Sequence, residues 1–212
     1  MKIQDILTRA PVIPVLIIDD VADAVPLGRA LVEGGLSVLE ITLRTPVAME
    51  CIRRMAGEIE GAVVGAGTAL TPALRQAAAD AGAQFVVSPG LIEGEGPDGA
   101  APLLPGIATA TELMAGLAAG FECFKLFPAN IVGGAGALKA YASPFPQAKF
   151  CPTGGVSAAN APEYLALPNV LCVGGSWVAP TDAVKAGDWV RITALAREAA
   201  ALGQRAPAPV EG

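Results

Sequence analysis

Two charged residues stand where charge is costly. Lys125 lies in the apolar and aromatic run GFECFKLFPAN (residues 120–130), and Glu40 in SVLEITLRTP (37–46). As a β-strand the first run alternates faces, with Cys123, Lys125 and Phe127 on one side and Phe124 and Leu126 on the other. Neither side suits an ammonium group. Loss of water disfavours the charged form of an amine, and the neutral form attacks carbonyl carbon, so Lys125 is a candidate Schiff-base nucleophile. Two plainer roles compete with it: a strand-end lysine whose stem snorkels to water, or a lysine paired with a carboxylate. In the second run Glu40, Thr42 and Arg44 share a face by parity, with Arg44 just past the strand end. A half-buried carboxylate beside a lysine can move protons, and a guanidinium can fork onto a substrate carboxylate. An inert pair of Glu40 with Lys125 or Arg44 is the less favoured reading, because buried ion pairs stabilise poorly relative to apolar packing.

Composition narrows the chemistry further. The chain contains no histidine, which removes imidazole acid–base chemistry, serine–histidine nucleophiles and the commonest transition-metal ligand. Its four cysteines, Cys51, Cys123, Cys151 and Cys172, show no zinc or dithiol spacing and read as small core hydrophobes. With a net charge of −6 the chain has no basic footprint for nucleic acid, so an anionic ligand must be met by local donors. The opening run is broken by Pro11 and Pro14 and closed by Asp19 and Asp20, too short to span a bilayer and without a cleavage signal. The expected location is cytoplasmic, with no membrane partner. Asp19 and Asp20 suit magnesium in principle, but with no third partner the helix cap at Asp20 is the better role.

These residues need elements to hold them. A short helix over roughly 2–9 precedes VIPVLII, and similar apolar runs recur at SVLEITL, AVVGAG, QFVVSPG, PLLPG, FECFKLF, AKFCPTGG and NVLCVGG. Between them lie alanine- and leucine-rich segments of helical spacing, several stopped by glycine. Eight strand–helix units in 212 residues predict one compact (β/α)8 barrel spanning 1–203. The fourth helix is expected to be curtailed, because GLIEGEGPDGAAP carries glycines that each cost a helix about 1 kcal/mol and a proline that costs about 3. The tail 204–212 is expected to be disordered. A barrel puts its chemistry at the C-terminal strand ends, with phosphate held after strands seven and eight. Those loops read CPTGG and CVGGSW. Gly154, Gly155, Gly174 and Gly175 let backbone N–H groups approach an anion, and Ser176 could open a short helix before Pro180. Thr68 and Thr153 offer hydroxyls at strand ends, although Thr68 taken alone reads better as a helix cap. Pro89 and Gly90 shape the same mouth.

The ordered set PVIPVL, VLEITLRTP, VVGAGT, FVVSPG, LLPGIAT, FKLFPA, FCPTGG and CVGGSW resembles the bacterial 2-keto-3-deoxy-6-phosphogluconate (KDPG) aldolases, a family shared with 4-hydroxy-2-oxoglutarate aldolase. The likeness spans nearly the whole chain. It implies a class I aldolase acting on a phosphorylated keto acid, without metal or cofactor, usually a homotrimer. By the same resemblance Lys125 looks like the Schiff-base residue and Glu40 the proton carrier. Arg44 and Thr68 look like pyruvyl carboxylate contacts, and Pro89 lines that pocket. Thr153 looks like the stereochemical guide, and Gly154, Gly155, Gly175 and Ser176 the phosphate cradle. The chain departs at Asn130, where many relatives carry glutamate, and in the curtailed fourth helix. Three rivals stay open: an unphosphorylated substrate, a phosphate-binding barrel enzyme without a lysine adduct, and a sugar-acid binding module.

Overall fold

A computed structural model describes residues 1–203; the expected disorder of the tail from Gln204 lies outside the described residues. It is an α/β fold whose parallel strands curl around a common interior. The strands are β1 (Val12–Leu16), β2 (Val38–Thr42), β3 (Val63–Gly67), β4 (Phe85–Val87), β5 (Leu103–Leu104), β6 (Gly106–Ile107), β7 (Cys123–Leu126), β8 (Lys149–Pro152) and β9 (Val173–Gly175). One sheet runs β5-β4-β3-β2-β1-β9 and a second β6-β7-β8, every pairing parallel. β5 and β6 are two halves of the PLLPG run, parted at Pro105. A proline has no N–H for the ladder, but the Pro105 carbonyl still accepts from Lys125 N at 2.8 Å.

The helices between strands are α1 (Ile3–Leu7), α2 (Val21–Glu33), α3 (Ala48–Glu58), α4 (Pro72–Asp80), α5 (Ala110–Ala118), α6 (Gly134–Tyr141), α7 (Ala161–Leu165), α8 (Thr181–Lys185) and α9 (Trp189–Ala201). Their starts are written in the sequence. Asp20 caps α2 by accepting from Ala22 N, and Thr71 caps α4 by accepting from Leu74 N. Thr109 and Glu112 form a capping box on α5. The α4 cap is therefore Thr71, three residues beyond Thr68, which frees Thr68 from the capping role expected of it. Between β4 and β5, residues 88–102 contain turns and bends only. Arg75 of α4 holds this segment, donating to the Ala101, Gly96 and Pro97 carbonyls and pairing with Glu95.

Side-chain parity divides the core into two layers. Phe124, Leu126, Leu39 and Ile41 point outward into the larger layer under the helices. Cys123, Val38, Val63 and Phe85 point inward, with Ile6 and Leu7 of α1 packed beneath them. The alternation in FECFKLF is thus preserved, and Lys125 and Glu40 both lie on the inward set.

Candidate active site

Near the C-terminal ends of the strands the inward face changes from apolar to charged. Lys125 and Glu40 are 4% and 3% exposed, and Lys125 Nζ stands 3.6 Å from Glu40 Oε1. That separation is too long for a well-made hydrogen bond, and Glu40 Oε1 has no hydrogen-bond partner. An ion pair retained for packing alone should close its hydrogen bonds, because an uncompensated buried carboxylate oxygen is costly. The Lys125 amine also lies 5.0 Å from the centroid of the Phe127 ring, which shares its face two residues on. An amine between an aromatic face and an unsatisfied carboxylate is placed to add to a carbonyl, with a proton acceptor at hand.

Beside Phe127 a cavity of about 160 Å³ is lined by that residue and by Arg44, Thr153, Gly154, Gly155, Gly174, Gly175 and Ser176, together with Val15, Ile17 and Val156; Lys125 and Glu40 are not themselves in its lining. Seven of the residues singled out in the sequence, Arg44, Thr153, the four glycines and Ser176, therefore meet around one opening. Arg44 follows β2 and donates from Nε to Thr68 Oγ1 at 3.2 Å, which brings Thr68 to the same place. Thr68 itself has φ 64°, a left-handed conformation in which a β-branched residue is strained. Pro89 does not line this cavity, and only its backbone comes near. Its carbonyl packs on Gly106, the register partner of Lys125, where a Cβ would not fit. Gly154 and Gly155 have φ of 97° and 73°, so this turn needs glycine for its shape as well as for close approach. Ser176 opens a single turn closed by Ala179 N to Ser176 O at 3.1 Å, and α8 starts only at Thr181. The short helix expected at Ser176 is thereby corrected. Pro180 and the need to return the chain from β9 leave room for one turn, so any anion here meets loop amides.

Phe127 was visible in the sequence but not assigned a role at the site, whereas Gly174 was expected there as half of the second glycine pair. Face parity with Lys125 marks Phe127. Gly174 accommodates the Thr153 side chain, since a Cβ there would fall 3.0 Å from Thr153 Cγ2. Four larger hollows, of about 540, 410, 250 and 180 Å³, lie elsewhere on the molecule, and what sets the smaller cavity apart is Phe127, the ring beside the Lys125 amine, in its wall. Among the described residues no group of three or more His, Cys, Asp or Glu side chains is arranged to hold a metal ion. None of their helices is long and apolar enough to cross a membrane.

A buried amine beside a carboxylate on a parallel β/α scaffold defines a class of site that can act on small carbonyl compounds. Sequence comparison places the chain within that class: residues 3–195 match the KDPG and KHG aldolase family, and the chain belongs to it. It is 53% identical over 199 residues to a KHG/KDPG aldolase of Escherichia coli strain K12, covering 92% of this chain and 93% of the relative. A 2-dehydro-3-deoxy-phosphogluconate aldolase of Zymomonas mobilis is 51% identical over 209 residues, covering 97% and 99%. Among solved structures, a KDPG aldolase from Legionella pneumophila, with pyruvate captured as a covalent carbinolamine, superposes with a TM-score of 0.92 at 44% identity. That match covers 94% of this chain and 98% of the other.

Proposed function

We propose that the chain is a class I aldolase that cleaves KDPG to pyruvate and D-glyceraldehyde 3-phosphate, with 4-hydroxy-2-oxoglutarate as a smaller alternative substrate yielding pyruvate and glyoxylate. The observation that carries this reading is the buried amine 3.6 Å from a carboxylate oxygen that has no hydrogen bond of its own. Lys125 adds to the 2-keto carbon to give a carbinolamine, which loses water to form an iminium. Glu40 takes the proton of the 4-hydroxyl, the bond between carbons 3 and 4 breaks, and its electron pair passes into the iminium to leave an enamine. Glyceraldehyde 3-phosphate departs, Glu40 returns the proton to carbon 3, and water hydrolyses the imine to release pyruvate and the free amine.

In this reading Arg44, oriented by Thr68, forks onto the pyruvyl carboxylate, and Pro89 walls that end. Thr153 meets the hydroxyl at carbon 4, and Gly154, Gly155, Gly175 and Ser176 receive the phosphate. No cofactor enters the scheme. We further infer that the two sheets close into one (β/α)8 barrel whose fourth crossover lacks a helix, within a single domain over 1–203. The isolated bridges of Phe150 with Val170 and Thr153 with Gly174 support closure on one side, and the single residue between β5 and β6 supports it on the other. A cytoplasmic homotrimer completes the proposal, on the family resemblance.

Borohydride reduction in the presence of pyruvate tests the chemistry. A pyruvate-derived mass increment on the peptide containing Lys125 is expected, and its absence would return the choice to a phosphate-binding enzyme or a binding module. Comparison of kcat/KM for KDPG and 4-hydroxy-2-oxoglutarate then measures what the glycine cradle contributes.

A further inference from the structure

The carboxylate of Glu40 occupies room that exists because residue 67 has no side chain. A Cβ built on Gly67 would fall 2.9 Å from both Cδ and Cγ of Glu40 and closer still to Oε1. Carbon atoms in good contact stand about 3.5–4.0 Å apart, so the two groups cannot share this space. The backbone register pairs Glu40 with Gly65 and Thr42 with Gly67. The Glu40 side chain therefore leans along its strand, one inward pair toward the mouth, and rests on bare backbone there. Level with its own backbone the inward room is filled by the Phe85 ring, which packs on Gly65.

Gly67 is not required by its backbone. It lies in β3 and is absent from the positive-φ positions, so any residue could adopt its conformation. Glycine weakens a strand, which makes space the property it supplies. We infer that Gly67 is a positioning residue that sets the Glu40 carboxylate beside the Lys125 amine. The three nearest atoms an added methyl group would meet are the carboxyl oxygen, Cδ and Cγ of the Glu40 side chain, with no backbone atom among them, so the strand can stay and the side chain must turn away and carry its carboxylate with it. This rests on the proposed function and deepens it, because the displaced group is the one that carries protons while the group that forms the imine is left in place.

The test separates those two steps. Gly67→Ala should fold, take up the borohydride-reduced pyruvate adduct on Lys125 when incubated to completion, and exchange the pyruvate methyl protons for deuterium at least ~10²-fold more slowly than the parent, the lower range for loss of a placed acid–base group. In a Glu40→Gln background the same substitution should cause no further loss. Exchange at the parent rate, or an equal loss in both backgrounds, would overturn the inference. If Gly67→Ala lowers the soluble yield, Glu40→Asp/Gly67→Ala must recover it, because the shorter acid clears the methyl. Failure to recover would mean that the methyl strikes backbone, and would also overturn it. A parent enzyme that takes no adduct refutes the proposed function itself, which is a different result.

Discussion

The lower and upper interior of the strands are built from the same alternation and do opposite things. In the lower part, Cys123, Val38 and Val63 pack with Ile6 and Leu7 and are fully or almost fully buried. Two residues further along β7, about 7 Å at the rise of a strand, the inward position holds Lys125, and along β2 the step from Val38 leads to Glu40. Burial is similar in the two regions, but satisfaction of polar groups is not. Thiols tolerate an apolar interior as small hydrophobes, whereas a carboxylate oxygen without a hydrogen bond is a standing cost. The lower interior is arranged for stability, and the upper interior gives some of that stability up to keep an amine and an acid available.

The sharpest way to break this comparison is to make the upper interior resemble the lower. Lys125→Met should abolish cleavage, by at least ~10⁴-fold in kcat, since a covalent mechanism has no substitute for its nucleophile. Stability is the more telling readout. Removing the lysine alone leaves Glu40 buried without its counter-charge and should destabilise the fold. Replacing both, as Glu40→Leu/Lys125→Met, should raise the unfolding free energy above the parent by about 1–4 kcal/mol. A double variant less stable than the parent in urea would mean that the pair is kept for packing, like the Cys123 thiol below it.

The buried thiols should reveal themselves in alkali. Burial pushes the Cys123 thiol up to about 12 and the Cys51 thiol, in α3, up to about 11, from an ordinary value of 9.0, and raises Cys172 well above it. A thiol that keeps its proton in the folded state and loses it in the unfolded state stabilises the fold fully below pH 9. That contribution is lost as pH rises toward the folded value. The slope is about 1.4 kcal/mol per pH unit for each such thiol. Urea midpoints should therefore fall steeply between pH 9 and 10.5, and Cys123→Ala should show a shallower fall. Equal slopes in the two proteins would remove Cys123 from the account.

How much of this was legible beforehand depended on range. Strand parity is local, so the inward placement of Cys123, Lys125 and Phe127 follows from the sequence alone. The meeting of Glu40 with Lys125 was readable because a charge inside an apolar run is conspicuous in a chain with so few charged residues. Gly67 was not readable as a positioning residue, since its role depends on the β2–β3 register and on the reach of a side chain from another strand. Arg75 was missed for a related reason. It is almost wholly buried in a helix, and what buries it is the helix-free segment 94–101 wrapping over its guanidinium. A glycine-rich run argues for turns and bends there but does not name the side chain that holds them. At Ser176 the local signal for a helix start was overruled by the short path from β9 to α8.

Thr68 gives the smallest effect and the finest division between the two demands. Its φ of 64° disfavours a β-branched residue, and its hydroxyl accepts from Arg44 Nε at 3.2 Å. Thr68→Ala removes the hydroxyl and leaves a side chain in left-handed backbone, while Thr68→Gly removes the hydroxyl and relieves the strain. The glycine variant should therefore be more stable than the alanine variant by about 1 kcal/mol, measured as a difference in urea midpoint at unchanged slope. Both should raise the KM for the keto acid by a similar factor, roughly tenfold if the lost bond is worth about 1.4 kcal/mol, because Arg44 loses its tether in each. If glycine and alanine prove equally stable, Thr68 pays no conformational penalty, and the upper interior owes its cost to the buried pair alone. If neither changes KM, Arg44 holds its position without Thr68, and the strain at this residue serves something other than the carboxylate contact.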